Sequence, residues 1–322
     1  MKTSLAHLGL GVATLVTVLA HGPAQSAEEL QRRDGLIARN TKLFSRCAAK
    51  LDSRANFDAR ISKTHSFVNG YLQSRGLEPT FDHRAESVAS CILAPEQEEG
   101  PFYVSGELIR DDIRESEVGI DLLLEVQLMN VRTCEPLKNV LVDFWSCNVT
   151  GSYAGIPSEK TAGETFLRGL AASDEHGIVR VYVMAHVNYT ISNNTITGGA
   201  AVHTGQLLFD QSTLSQINAY PPYTTNTNVF TPNTADYIIT QQANKTEGYQ
   251  AFLDMTMTGK VLSDGVLGKM VMALDPETIP KPVGGGGPGG FPPGGFPTGG
   301  FPGFPTGTSM PPVSTGSPKE EN

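Results

Sequence analysis

The chain has 322 residues, a mass of 34.4 kDa and a formal net charge of −9 at pH 7. Binding to nucleic-acid phosphates needs clustered Lys and Arg, so an acidic chain without a basic run is a poor candidate for a nucleic-acid partner. Hydrophobic residues make up 39% of the chain. This fraction is enough for a packed core and too high for a wholly disordered protein.

The N-terminus has the pattern of a secretory signal peptide. It begins with Met1 and Lys2, continues with an apolar stretch over residues 8–20 and ends in small residues up to Ala27. About 13 apolar residues are too few to cross roughly 30 Å of hydrocarbon. We therefore predict a signal peptide over residues 1–27, a secreted extracellular protein and no membrane partner.

Residues 28–115 predict a helical segment followed by an irregular, extended arm. Apolar residues recur at helical spacing among charged ones over residues 28–75. Prolines and glycines then interrupt residues 76–115. The amphipathic helical segment could also pair between two copies of the chain, so a homodimer is an open prediction.

From Asp121 the hydrophobic period changes from helical to alternating. Residues 121–131 alternate apolar and polar side chains, as a strand with one buried face does. Ser263-Asp264-Gly265 predicts a hairpin between the last two strand-like runs. We predict an all-β fold, a β-sandwich over residues 116–280 preceded by the helical segment. The further strand-like runs are 140–145, 177–184, 205–210, 250–261 and 265–274.

The C-terminal residues 281–322 repeat Gly-Gly-Phe-Pro. Glycine entropy and the missing proline donors oppose regular structure there. We predict a disordered tail rich in Gly, Pro and Phe.

An even number of cysteines in a secreted chain favours two disulfides, for which three connectivities exist. The four cysteines are Cys47, Cys91, Cys134 and Cys147. Their spacing favours Cys134–Cys147 within a hairpin and Cys47–Cys91 near the N-terminus. Zinc is not favoured, because the chain has no CxxC pair. Glycosylation is predicted at the sequons of Asn148, Asn188, Asn193 and Asn244.

Two stretches resemble a known family. Residues 91–115 read CILAPEQEEGPFYVSGELIRDDIRE, and residues 133–155 read TCEPLKNVLVDFWSCNVTGSYAG. In the order and spacing of these motifs the chain is similar to the intradiol ring-cleavage dioxygenases, and specifically to their secreted fungal branch. The resemblance runs from about residue 28 to 275. Shorter matching stretches follow at 165–170, 173–177 and 197–211.

The resemblance implies an Fe(III) cofactor, with a catechol and O₂ as substrates. In this family two tyrosinates and two histidines hold the iron, and the ring opens between its two hydroxyl-bearing carbons. Phenolate oxygens are hard donors that suit trivalent iron, which acts as a Lewis acid on the bound diol.

The resemblance implies that Tyr153 corresponds to the family's first tyrosine ligand. The family's W-x-x-N-x-x-G-x-Y motif is matched by Trp145, Asn148, Gly151 and Tyr153. One departure is Ser146, where the family commonly has His.

The remaining iron ligands have no secure counterpart. The family places its second Tyr and an H-x-H pair after a turn that here spans residues 173–177. The seven histidines of this chain never stand two residues apart. One alignment puts Arg180 and Tyr182 at the two histidine positions, whereas another has lost a strand–turn–strand piece after Gly177. The nearby candidates for metal ligands are Tyr182, Tyr189, His186 and His203.

The function therefore divides into two hypotheses. In the first, the chain is a secreted Fe(III) intradiol dioxygenase whose missing ligands reflect an error in the gene model or alternative splicing. In the second, it is a non-catalytic secreted β-sandwich that binds aromatic or wall components. Whether the chain as written is an enzyme stays open at this stage.

Overall fold

The computed structural model describes residues 27–44, 47, 54–81, 92–93, 97, 102–104, 106–179, 184–187, 190–192, 195–197, 200–228, 230–236, 238–243 and 252–277. The α-helices are α1 (Ala27–Phe44), α2 (Arg54–Ser74) and α3 (Gln211–Asn218). The first five strands are β1 (Leu122–Asn130), β2 (Leu141–Trp145), β3 (Arg168–Ala172), β4 (Ile178–Val179) and β5 (Met184–Val187). The other five are β6 (Thr190–Ser192), β7 (Thr195–Thr197), β8 (Ala200–Thr204), β9 (Asp254–Met257) and β10 (Val266–Leu274).

The strands form two four-stranded sheets and one two-stranded hairpin. The first sheet has the order β4-β1-β10-β9, the second has the order β3-β2-β5-β8, and β6 pairs with β7. Strands β1 and β10 run parallel, in register from Leu122 opposite Val266 to Asn130 opposite Leu274. All other strand pairs are antiparallel.

One apolar core is built from both sheets. Successive side chains of a strand point to opposite faces, so alternate residues of β1 and β2 reach the same interior. Val126 of β1, Val142 and Phe144 of β2 and Met272 of β10 are fully buried within this cluster. A sheet-based fold, as the alternating pattern predicts, is confirmed.

Helix α2 covers the outer face of the first sheet. Val68 and Leu72 of the helix pack against Leu123 of β1 and Leu267 of β10 in a second, smaller cluster. This is why β1 is buried on both faces although its sequence alternates. No helix in the described part of the chain is both long enough and apolar enough to cross a membrane.

The same helix binds the turn that precedes β4. The Lys63 ammonium lies 3.1 Å from the Asp174 carboxylate and also contacts Glu175. Asp174 in turn accepts hydrogen bonds from the backbone N–H of His176 and Ile178. The turn at 173–177 is therefore well fixed, directly before the place where the sequence departs from the family pattern.

Two predicted strands differ in the structure. The run 177–184 is not one strand, because β4 pairs with β1 in the first sheet and β5 pairs with β2 in the second. The chain crosses between sheets here, and residues 180–183 lie outside the described residues. Residues 205–210, all of them described, form no strand beyond one bridge from Leu208 to Phe252, because Asp210 caps helix α3.

The last hairpin is confirmed, with a shorter first strand than predicted. Strands β9 and β10 pair antiparallel from Met257 opposite Val266. Strand β9 ends early because the Asp264 carboxylate accepts the backbone N–H of Lys260 and Val261 and folds that segment into the turn.

The predicted disulfide pairing is wrong. Cys47 is bonded to Cys134, and the exposed Cys147 has a free thiol. Cys134 precedes β2 and Cys147 follows it, so a five-residue strand that extends about 17 Å separates them. Disulfide-bonded Cα atoms lie only about 4.4–6.8 Å apart. Cys91 lies outside the described residues, as do the predicted signal peptide before residue 27 and the predicted tail.

Candidate functional site

Tyr153 stands in a tight loop that follows β2. The side-chain oxygen of Asn148 accepts the backbone N–H of Thr150 and Ser152, both at 3.1 Å, and this closes the loop. Gly151 has a φ of 85°, and a Cβ atom there would lie 2.7 Å from the side-chain nitrogen of Asn228. The Asn and Gly of the motif are therefore explained by the shape of the loop that presents Tyr153.

Aromatic rings surround this tyrosine. The Tyr153 ring stacks on Phe102, with centroids 4.2 Å apart and planes 9° from parallel. The neighbouring Tyr103 meets Trp145 edge to face at 5.6 Å. We call these four residues the aromatic cluster, and the arm at 102–104 supplies half of it.

The Tyr153 hydroxyl is held in its protonated form. Burial raises its pKa well above the ordinary value, and the nearby Cys147 and Glu159 raise it further. The Cys147 side chain is near enough to the Tyr153 hydroxyl to be one of the causes of this raised pKa. The Tyr153 backbone N–H donates to the Glu159 carboxylate at 2.5 Å. A phenol in this environment is a poorer metal ligand than a phenolate, which iron would have to generate.

A buried charged group lies against the aromatic cluster. Arg168, Glu107 and Asp143 are only 3%, 7% and 2% exposed. The Arg168 guanidinium lies 3.0 Å from the Glu107 carboxyl. Burial, followed by a hydrogen bond with Asp143, raises the pKa of Glu107 well above that of an ordinary glutamate. Glu107 therefore keeps its proton at neutral pH.

Sequence reasoning missed this group, although the sequence contained a signal for it. Asp143 interrupts the apolar run VLVDFW, and Arg168 interrupts TFLRGL. A charge inside an otherwise apolar strand needs a buried partner, because an unpaired buried charge is costly.

His203 lies in the core, away from the buried charged group. It is 2% exposed on β8, opposite Ala185, which is itself opposite Val142. Directly opposed residues share a face of the sheet, so His203 shares the core-facing side with Val142. Trp145 lies three residues after Val142 on β2, so its side chain is on the opposite face of the sheet. Arg168 is directly opposite Trp145 and therefore shares that other face.

The environment of His203 argues against a metal ligand. Burial lowers its pKa to about 4. Neither ring nitrogen has a hydrogen-bond partner among the residues that the structure describes. A Cβ atom on Gly205 would lie 3.0 Å from the imidazole and 2.6 Å from Leu93. His203 is thus a neutral imidazole in tight, largely apolar packing.

The other predicted site residues are only partly placed. His186 is on β5, Asn148 is in the Tyr153 loop, and the remaining candidates lie outside the described residues. In the described ranges, no group of three or more His, Cys, Asp or Glu could hold a metal ion. The described residues therefore do not provide the family's four-ligand Fe(III) site. The candidates outside are Tyr182, Tyr189, Asn188, Asn193 and Asn244.

Comparison with known proteins identifies the class. Residues 98–255 match the family model Dioxygenase_C, described as "Dioxygenase". This segment includes the arm, the Tyr153 loop and the buried charged group. This match to a dioxygenase family agrees with the resemblance to the intradiol ring-cleavage dioxygenases in the sequence. No curated protein matches the chain.

Solved structures with detectable similarity are dioxygenases. One is the intradiol ring-cleavage dioxygenase from Tetranychus urticae, at 24% identity and a TM-score of 0.49, covering 59% of this chain and 98% of that one. Another is catechol 1,2-dioxygenase from Pseudomonas arvilla C-1, at 13% identity and a TM-score of 0.35, covering 80% of this chain and 82% of that one.

Proposed function

We propose that this chain is a secreted intradiol-dioxygenase-like protein that lacks a complete iron site in its present form. Its class acts on catechol-type aromatic diols with O₂ and uses Fe(III), which supplies Lewis-acid activation of the bound diol. The observation that carries the proposal is the Tyr153 loop. The motif for the first iron ligand is intact, but the pKa of the tyrosine hydroxyl is raised, and the described residues contain no group of His, Cys, Asp or Glu that could complete a metal site.

The absence of an H-x-H pair from the whole sequence supports this proposal. Ligand number and geometry set metal affinity, so a single tyrosine gives weak binding. A half-buried phenol with a raised pKa adds the cost of removing its proton. We expect the chain as written to bind iron weakly and to leave catechol rings unopened.

A second candidate function is aromatic binding without turnover. The aromatic cluster favours it, because two pairs of stacked or edge-to-face rings lie around the Tyr153 loop. Aromatic faces bind planar ligands through dispersion and quadrupole interactions. Under this hypothesis the protein would retain a catechol-sized or wall-derived aromatic and would release it unchanged.

The deciding experiment compares three proteins. Fe(III) is titrated into each protein. The first is the chain as written, and the second has a strand–turn–strand piece carrying Tyr and H-x-H inserted after Gly177. The third is this second version with Tyr153→Phe. Colour in the visible reports tyrosinate bound to iron, and O₂ uptake reports ring cleavage. We expect colour and turnover only from the restored version. Stoichiometric iron and catechol turnover by the chain as written would contradict the incomplete site.

The same samples test the second candidate. Trp145 is the single tryptophan of the chain, and it belongs to the aromatic cluster. Quenching of its fluorescence by catechol in the chain as written, without O₂ uptake, would support binding without turnover. An unchanged signal would leave only the first proposal.

Secretion is part of the proposal and has its own test. The signal-peptide pattern predicts a mature N-terminus between His21 and Glu28. N-terminal sequencing of protein from the medium checks this prediction. Recovery of cell-associated protein that begins at Met1 would count against secretion, whatever the outcome of the iron titration.

A further inference from the structure

We propose that Arg168 is a positioning residue that holds Tyr153 against Phe102. A single buried guanidinium binds the backbone on both sides of this ring stack. The inference concerns the shape of the Tyr153 loop and does not depend on whether the chain holds iron. Its test can therefore fail or succeed independently of the proposed function.

The Arg168 side chain makes three directed hydrogen bonds. Its Nε donates to the carbonyl of Ala154 at 2.8 Å, and one terminal nitrogen donates to the carbonyl of Phe102 at 2.6 Å. The other terminal nitrogen donates to Glu107 at 3.0 Å. Ala154 follows Tyr153 directly, and Phe102 carries the ring that stacks on it. The guanidinium thus links the arm to the Tyr153 loop through rigid, coplanar bonds.

Arginine suits this position for a physical reason. Its planar fork presents five donors in fixed directions, whereas a lysine ammonium is a point charge on a flexible stem. A lysine at 168 could keep the ion pair but could not reach both carbonyls in the same geometry. Backbone carbonyls left buried without a donor cost free energy, so losing the fork should loosen both segments.

The surroundings hold the guanidinium in place. The Arg168 backbone carbonyl accepts two hydrogen bonds from Arg110, at 2.8 and 3.0 Å. The buried carboxyl of Glu107 pairs with the guanidinium at 3.0 Å, and the buried Asp143 is a neighbour of Glu107. A second arginine and a buried carboxyl therefore fix the orientation of the first arginine.

The Tyr153 loop has few other links to the sheet. Within the described residues, Thr150 accepts from the side chain of Asn228, and the bonds of Tyr153 itself are local: its carbonyl accepts from the Thr161 hydroxyl, and its N–H donates to Glu159. Both partners belong to the same loop. Arg168 begins strand β3, so its bond to Ala154 ties the loop to the second sheet. We therefore infer that the protection of Tyr153 depends on this one side chain.

The test measures how fast tyrosines react with N-acetylimidazole in the folded protein, with mass spectrometry of each tyrosine peptide. The more exposed Tyr220 is the internal standard. In the parent protein we expect the half-buried Tyr153 to react roughly tenfold more slowly than Tyr220, since its ring is stacked on Phe102 and loosening of the loop is needed to free it. In Arg168→Met the Tyr153 rate should approach that of Tyr220. The control Arg114→Met removes an equal charge from an arginine bound to Asp112 and Asp121 and should leave Tyr153 protected.

A lysine variant distinguishes positioning from a general loss of stability. Arg168→Lys keeps the charge beside Glu107, so its melting temperature should fall less than that of Arg168→Met, while Tyr153 should still react faster than in the parent. If Arg168→Met fails to fold, this variant alone decides the question. Parent-like protection of Tyr153 in folded Arg168→Lys, or in folded Arg168→Met, would overturn the inference.

Discussion

Glu107 and Asp143 are two buried carboxyl groups in one cluster with a single guanidinium, that of Arg168, which lies 3.0 Å from Glu107. Glu107 comes from the arm and Asp143 from the middle of β2, so this cluster lies at the junction between the arm and the second sheet. Burial and the neighbouring Asp143 both raise the pKa of Glu107, because a second carboxylate beside one arginine is unfavourable.

The first prediction concerns alkaline pH. Because the folded state holds the Glu107 proton and the unfolded chain releases it at the ordinary value, stability should fall as pH rises above the ordinary glutamate range. Glu107→Gln mimics the protonated carboxyl and should remove this loss, which is about 1.4 kcal/mol for each pH unit over which only the folded state keeps the proton.

Urea unfolding at several pH values measures the effect. The exposed Glu164→Gln serves as the matched control and should keep the parent profile. A Glu107→Gln profile that runs parallel to that of the parent would show that no proton is retained at this carboxyl.

The second prediction concerns His203 and acid pH. Its folded pKa of about 4 lies below the ordinary histidine value, so the unfolded chain binds the proton first. Parent stability should therefore fall as pH drops through the range from about 6.5 to 4.

Replacing this imidazole should be favourable. His203→Phe fills similar space without unpaired nitrogens, so we expect the free energy of unfolding to rise by about 1–3 kcal/mol. The part of the acid destabilisation that comes from protonation of residue 203 should disappear. His65→Phe on α2 is the control, since its ring already meets Phe81 edge to face. A clear loss of stability in His203→Phe would show that the imidazole has a polar partner.

The third prediction concerns the disulfide, which links residues 87 positions apart in sequence. Closing so long a loop restricts the unfolded chain, so Cys134→Ser should cost about 2–4 kcal/mol. Cys147→Ser should have a much smaller effect. Iodoacetamide without reductant should label Cys147 in the denatured protein, and Cys47 and Cys134 only after reduction. Labelling of Cys134 before reduction would contradict the observed pairing.

The sequence predicts those parts of the fold that a local pattern controls. The alternation over 121–131 and the Ser263-Asp264-Gly265 turn correspond closely to β1 and to the β9–β10 hairpin. The motif that ends in Tyr153 predicts its loop, because Asn148 and Gly151 act within that loop.

Features that depend on distant partners could not be predicted in this way. The run 177–184 divides between two sheets, and nothing local marks the crossing. Cys47 pairs with Cys134 because α1 leads toward the far end of β1, a tertiary relationship that cysteine spacing does not contain. The bonds of Arg168 join the arm, β3 and the Tyr153 loop, and only the folded chain brings these together.

The parallel pairing of β1 with β10 has a consequence for how the protein is made. Each residue of β1 pairs with a residue 144 positions later in the sequence, as Leu122 does with Val266. A domain whose central contacts are so distant in sequence has a high contact order and folds slowly. During synthesis β1 emerges long before β10, and its apolar face stays open to solvent until the last strand has left the ribosome. Nascent chains that end before Val266 should therefore be sensitive to protease and should bind chaperones, whereas chains extended beyond Leu274 should become resistant.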